Sequence, residues 1–81
     1  MSATSITVYT RENCDLCAEA IETIERVAAE TETAVDLALV DVDEDPELQA
    51  EYGEKVPHVL VDGSPAFTYV VRPDDLRERL A

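Results

Sequence analysis

Val8-Tyr9-Thr10-Arg11-Glu12-Asn13-Cys14-Asp15-Leu16-Cys17 is the stretch on which the reading of this chain turns. Ile6 to Thr10 is short and β-rich and reads as a first strand, expected to be central and buried on both faces. Arg11-Glu12-Asn13 forms a turn. From Cys14 to about Thr31, the apolar residues Cys17, Ala20, Ile21, Ile24, Val27 and Ala28 step by three and four. Glu19, Glu22, Glu25, Arg26 and Glu30 take the other side, which is the pattern of an amphipathic helix. The only two cysteines of the chain therefore sit where a strand turns into a helix, spaced i and i+3. Side chains three apart on a helix share a face, at a separation that a disulfide can close. Cys14, at the helix start, meets unpaired backbone N–H groups and the positive end of the helix dipole, both of which stabilise a thiolate. Cys17 lies one turn further in and joins the apolar stripe. Cys14 is thus the expected attacking thiol and Cys17 the resolving one.

Outward from this stretch, Val35 to Val42 gives a second strand, with Val35, Leu37 and Leu39 on one face and Asp36 on the other, as suits a sheet edge. Asp45-Pro46 is an N-cap and first-turn pair and Gly53 a stop, so Asp45 to Tyr52 is expected to be a short helix with Leu48 and Tyr52 on one face. Val56 to Asp62 reads as a third strand with an internal proline. Asp62-Gly63 reverses the chain into a fourth strand at Ala66 to Val71. Pro73-Asp74-Asp75 opens a last helix with Leu76 and Leu80 as its buried stripe and Arg77 and Arg79 in its last turn. The order β-α-β-α-β-β-α predicts an α/β fold, a mixed four-stranded sheet flanked by helices. The first two strands should be parallel and the last two an antiparallel hairpin.

The chain has 81 residues, enough for one domain, expected to span residues 1–81. Apolar residues make up 46%. No apolar run reaches the roughly 18 to 20 residues of a membrane span, and the N-terminus lacks a signal-peptide layout, so a cytoplasmic protein is expected. Asp and Glu number 19 against 6 basic residues, Lys55 being the only lysine, for a formal charge of −13. That balance argues against nucleic acid or an anionic membrane as partner. Acidic residues are spread along the chain rather than gathered in a tail. Such a shell, almost without lysine, suits a halophilic setting, where salt screens the self-repulsion.

C-x-x-C beside a β-α-β pattern is a thioredoxin-like redox signature. A purely structural disulfide fits poorly with a reducing cytosol, and so short a loop stabilises little. A zinc or iron-sulfur site needs four ligands, and His58 is the only histidine. Metal or cluster binding would thus require a dimer or an added thiol, and it stands as the alternative, a carrier module. No metal is expected in a monomer. His58 reads as a packing or surface residue. Tyr9, Tyr52, Phe67 and Tyr69 read as core or half-buried residues with no stacking platform among them.

Over nearly its whole length the chain resembles the glutaredoxins of the thioredoxin superfamily, through the run of strand, basic residue and C-x-x-C in Val8 to Cys17. It is most similar to the glutaredoxin-like proteins with leucine before the second cysteine. The resemblance implies a thioredoxin/glutaredoxin-like fold and a thiol-disulfide oxidoreductase in cell redox homeostasis, with Cys14 as nucleophile. It implies that Arg11 contacts the carboxylate of a glutathione-like thiol. Val56-Pro57 matches the superfamily's cis-proline facing the cysteines, so Val56 would meet an extended substrate through its main chain. No bound cofactor is implied, only a low-molecular-weight thiol, glutathione or an equivalent, as co-substrate. Partners would be disulfide-containing proteins or small thiols, and a reductase or thiol donor, acting on a monomer.

Three departures from that family bear on the chemistry. Asp15 stands where proline is usual and Leu16 where an aromatic residue is usual. Asp15, with Glu12 and Glu19, opposes a thiolate on Cys14 and shifts the couple toward the disulfide, that is, toward a more reducing potential. The third departure concerns the family's double glycine and acidic pair, for which the chain offers only Asp62-Gly63 in the hairpin turn and Asp74-Asp75 at the last helix. These residues are also explained as a turn and as helix N-terminal charges.

Overall fold

A computed structural model describes residues 3–80. Its elements are β1 (Thr4–Thr10), α1 (Asp15–Glu30), β2 (Val35–Asp41), a 3₁₀ turn (Val42–Glu44), α2 (Pro46–Tyr52), β3 (His58–Val61), β4 (Ser64–Thr68) and α3 (Pro73–Leu80). The four strands form one sheet in the order β2-β1-β3-β4. β1 runs parallel to β2, with Val8 opposite Leu39, and antiparallel to β3, with Tyr9 opposite His58. β3 and β4 are antiparallel neighbours, and a register shift falls between Val59 and Leu60. This is the mixed α/β sheet that the order of elements predicts.

The core lies between the sheet and the helices α1 and α3. Ile6 and Val8 of β1, Ile24 and Val27 of α1, Val59 of β3 and Leu76 of α3 are wholly buried there. Period-two and period-three-to-four patterns thus meet on one surface, which is why these segments fold together. α3 is fastened to α1 by Arg77, whose guanidinium binds Glu30 at 2.7 Å and Asp74 at 2.6 Å. β1 is central, but only this face of it is buried. Thr7 and Tyr9, on the other face, are half-buried because the seven-residue α2 covers only part of that side.

Local boundaries follow side-chain chemistry. Asp45 caps α2 through its Oδ1, which accepts from the Glu47 N–H at 2.9 Å. Gly53 ends α2 with φ −52°, in the right-handed region, so what matters there is space: a Cβ would collide with the Gln49 carbonyl oxygen. α1 ends in a Schellman motif without glycine. Thr33 N–H reaches the Ala28 carbonyl at 3.0 Å, Glu32 N–H the Ala29 carbonyl at 3.2 Å, and Glu32 itself takes φ 53°. Asp62 (φ 50°) and Gly63 (φ 82°) make the two-residue hairpin turn with both central residues left-handed.

Besides the one-sided burial of β1, three further expectations are corrected. β3 starts at His58, after Val56-Pro57, whose peptide bond is cis. β4 runs from Ser64 to Thr68 rather than from Ala66 to Val71, because Tyr69, at φ 71°, turns the chain out of the sheet. Leu39 does not share the burial of Val35 and Leu37. It is 54% exposed, since β2 is an edge strand that the helical layer reaches only in part.

Candidate active site

Cys14 and Cys17 are joined as a disulfide, with Cα atoms 5.2 Å apart. Cys14 is the N-cap of α1, in extended conformation, and its Sγ accepts a hydrogen bond from the Cys17 N–H at 3.1 Å. A sulfur therefore occupies the capping position that serine or aspartate commonly takes. The donor that caps the helix is the one that would receive a thiolate after reduction. Burial separates the two sulfurs: Cys17 is 2% exposed, whereas Cys14 is half-buried. Asp15 and Leu16, between them, face solvent.

A small cluster gathers beneath the disulfide. Cys17, Val42 and Val56 are buried together, with Tyr9, Cys14, Leu48 and Tyr52 packed against them. The sequence places these residues on five separate segments: β1, the start of α1, the 3₁₀ turn, α2 and the stretch before β3. The fold brings the cysteines and Val56 into one cluster, next to the cis Val56-Pro57 bond. Pro57 is wholly buried, and its carbonyl accepts from the Tyr69 N–H at 2.8 Å. Val56 takes part in no backbone hydrogen bond among the described residues. Its main-chain N–H and C=O lie just before the start of β3, free to pair with an added strand.

Arg11 is engaged within the chain. Its Nε and Nη2 bind both oxygens of Asp43, at 3.1 and 2.9 Å, and its Nη1 donates to the Gly53 carbonyl at 2.6 Å. Asp43 also accepts from Gln49 Nε2 at 3.1 Å. A bidentate pair of this kind fixes the guanidinium and offsets its charge, while leaving donor hydrogens unused. Arg11, Gln49, Gly53 and Lys55 line a cleft of 440 Å³. Sequence reasoning passed over Asp43, since nothing in the acidic run Asp41 to Glu47 marks one carboxylate as the partner of a turn arginine.

The aromatic residues correct the sequence reading. Tyr9 stacks on Tyr52 with centroids 4.8 Å apart and planes 8° from parallel, and Tyr52 stacks on His58 at 5.0 Å and 18°. The cross-strand pair Tyr9–His58 supplies the floor and the end of α2 supplies the covering ring. Loss of solvation, and then the neighbouring Glu51 carboxylate, hold the Tyr52 phenol above its usual value. His58 Nδ1 lies 3.1 Å from Thr68 Oγ1. In the C-terminal third, Gly63 sits in the hairpin turn and Asp74 is held by Arg77. The left-handed position before α3 belongs to Tyr69 and not to a glycine. Among the described residues, no three of His, Cys, Asp and Glu are placed to hold a metal ion, and no helix is long and apolar enough to cross a membrane.

Comparison with known proteins agrees with this geometry. An uncharacterized protein of Mycobacterium tuberculosis is 30% identical over 86 aligned positions, which cover 100% of this chain and 87% of the relative. In fold, the chain is similar to Ne2328 from Nitrosomonas europaea, with a TM-score of 0.81 at 22% identity over 100% of this chain and 95% of that one. It is also similar to chloroplastic thioredoxin z, with a TM-score of 0.71 at 20% identity over 96% of this chain and 75% of that one. Both likenesses are ones of fold alone. Residues 5–81 match the Glutaredoxin-like domain (DUF836), and the chain belongs to that family.

Proposed function

We propose that this protein is a dithiol thiol-disulfide oxidoreductase. The observation that carries the reading is the asymmetry of its cysteines: Cys14 caps a helix and is half-exposed, and Cys17 is buried behind it. In the reduced protein the Cys14 thiolate attacks one sulfur of a substrate disulfide. A Cys14–substrate disulfide forms, and the other substrate sulfur leaves as a thiolate that takes up a proton. The Cys17 thiolate then attacks Cys14 Sγ. The Cys14–Cys17 bond closes, the second substrate thiolate departs, and two electrons have passed from the protein to the substrate. Two equivalents of a low-molecular-weight thiol such as glutathione, or a reductase, restore the dithiol. Val56 would align an extended substrate through its free main chain, and Arg11 would offer its unused donors to an anionic group on the thiol side. The exposed Asp15 disfavours the Cys14 thiolate and with it the reduced state, so a potential more reducing than that of a proline-containing motif is expected.

The test uses hydroxyethyl disulfide as substrate with a thiol donor in excess. Cys14→Ser is expected to abolish turnover. Cys17→Ser is expected to stall as a covalent adduct visible by mass, and alkylation of the reduced protein at neutral pH should label Cys14 before Cys17. Turnover that survives Cys14→Ser would overturn the assignment.

A further inference from the structure

Among the described residues, three of the four large apolar side chains that stand exposed, Leu16 (46%), Tyr69 (44%) and Val70 (60%), meet at one place beside the disulfide. They surround a notch of 70 Å³ against α1. That is far below the roughly 300 Å³ at which small-molecule pockets begin, so the feature is a contact surface that takes at most one side chain. Its backbone is unusual. Tyr69 has φ 71°, and the Val70 N–H returns to the Thr68 carbonyl at 2.9 Å, closing a three-residue turn of a kind that strains any residue but glycine. The strain is held by the Tyr69 N–H on the Pro57 carbonyl. A glycine would sit there without cost, yet the chain places a large aromatic ring there, directed to solvent and tied to the cis-proline segment.

Carboxylates outnumber cations around this surface. Glu12, Asp15 and Glu19 are exposed on the disulfide side, and Glu19 lines the notch itself. Arg11 is offset by Asp43, which leaves Arg72, exposed two residues beyond Val70, as the cation nearest the patch in sequence. The whole chain carries −13. An anionic disulfide such as oxidised glutathione is repelled from such a surface, and a cationic one is drawn to it.

We propose that the Leu16–Tyr69–Val70 patch docks a protein substrate whose reacting cysteine lies in an extended segment, with an apolar side chain beside the cysteine and lysine or arginine further out. This rests on the exchange chemistry at Cys14 proposed above. The apolar side chain covers the patch, the extended main chain meets Val56, and the basic residues face the carboxylates. The electrons follow the same course as with a small disulfide.

The experiment compares synthetic peptides, each carrying one cysteine as a mixed disulfide with the same thiopyridine. One has leucine beside the cysteine and flanking lysines, its twin has glutamates for the lysines, and a third has serine for the leucine. At low ionic strength the leucine-lysine peptide is expected to react about tenfold faster than its acidic twin, with the gap closing toward about twofold in molar salt. It should also outpace the serine peptide. Tyr69→Gly, which relaxes the backbone it alters, should lower the leucine-to-serine rate ratio. Equal rates for the acidic twin, or an unchanged ratio in Tyr69→Gly, overturn the proposal. A redox-inert version with serine for cysteine, titrated by NMR, reads docking without exchange. Shifts centred on Leu16, Tyr69 and Val70 with the lysine peptide alone support the surface, and shifts elsewhere overturn it. Hydroxyethyl disulfide serves as the neutral control: its failure to react overturns the exchange reading, while the inert-peptide titration still decides the surface.

Discussion

The two sides of the sheet are built differently. Against α1 and α3, Ile6, Val8, Ile24, Val27, Val59 and Leu76 lose all contact with water. Beside α2, the buried apolar cluster is confined to Cys17, Val42 and Val56 with Pro57 next to it, α2 contributes no buried residue of its own, and half-exposed rings and a half-exposed sulfur complete the cluster. One side supplies the stability of a small domain. The other can then keep a half-exposed sulfur, an unpaired backbone segment and solvent access together. A redox site needs such incomplete burial, and a thick core on the opposite face makes it tolerable.

This contrast can be broken by mutation. Leu76→Ala, on the thick side, is expected to cost about 3 kcal/mol in urea unfolding, a large share of the roughly 5 kcal/mol available to a domain of this size. Tyr52→Ala, on the thin side, should cost about 1 kcal/mol through the lost stacking, with the Cys14–Cys17 couple measurably shifted in redox-buffer titration because the cluster beside it loosens. Equal losses at the two positions would remove the contrast. Asp43→Asn should change stability by only about 0.5 kcal/mol, since the Arg11 pair is surface-exposed. It should still raise the rate with oxidised glutathione relative to a neutral disulfide by leaving the guanidinium charge unopposed.

The smallest effect expected is on alkaline titration. The Tyr52 phenol is held above its usual value of 10.0. Its contribution to stability is therefore complete below that pH and is lost as the pH rises through the higher value in the folded protein. Tyrosinate absorbance should show a late step that Tyr52→Phe removes.

Much of this was legible in the residues, and what was not has a physical reason. The helix after β1 and its cysteine pair could be read because the apolar stripe, the caps and the spacing all agree over sixteen residues. The end of β4 before Tyr69 was not, because a non-glycine residue occupies a left-handed position there and its side chain gives no local signal. Arg11 was visible as a candidate contact, but its tie to Asp43 joins positions thirty-two residues apart within an acidic run. The stack of Tyr9, Tyr52 and His58 escaped for a similar reason. Periodicity assigns a residue to a face, and only the register of β1 on β3 and the seating of α2 bring the three rings together.

The open edge at β2 links the charge of the molecule to its colloidal behaviour. Val35-Asp36-Leu37-Ala38-Leu39-Val40-Asp41 pairs on one side only, and neither proline nor lysine guards its outer side; β4, at the other edge, carries Pro65. What keeps two copies from adding strand to strand is their shared negative charge, a defence that acts through space and fades as ions crowd in. Molar salt relieves the repulsion inside each molecule and should raise its unfolding midpoint. The same ions lower the barrier between molecules, so association through β2 is expected to set in at lower protein concentration as salt rises.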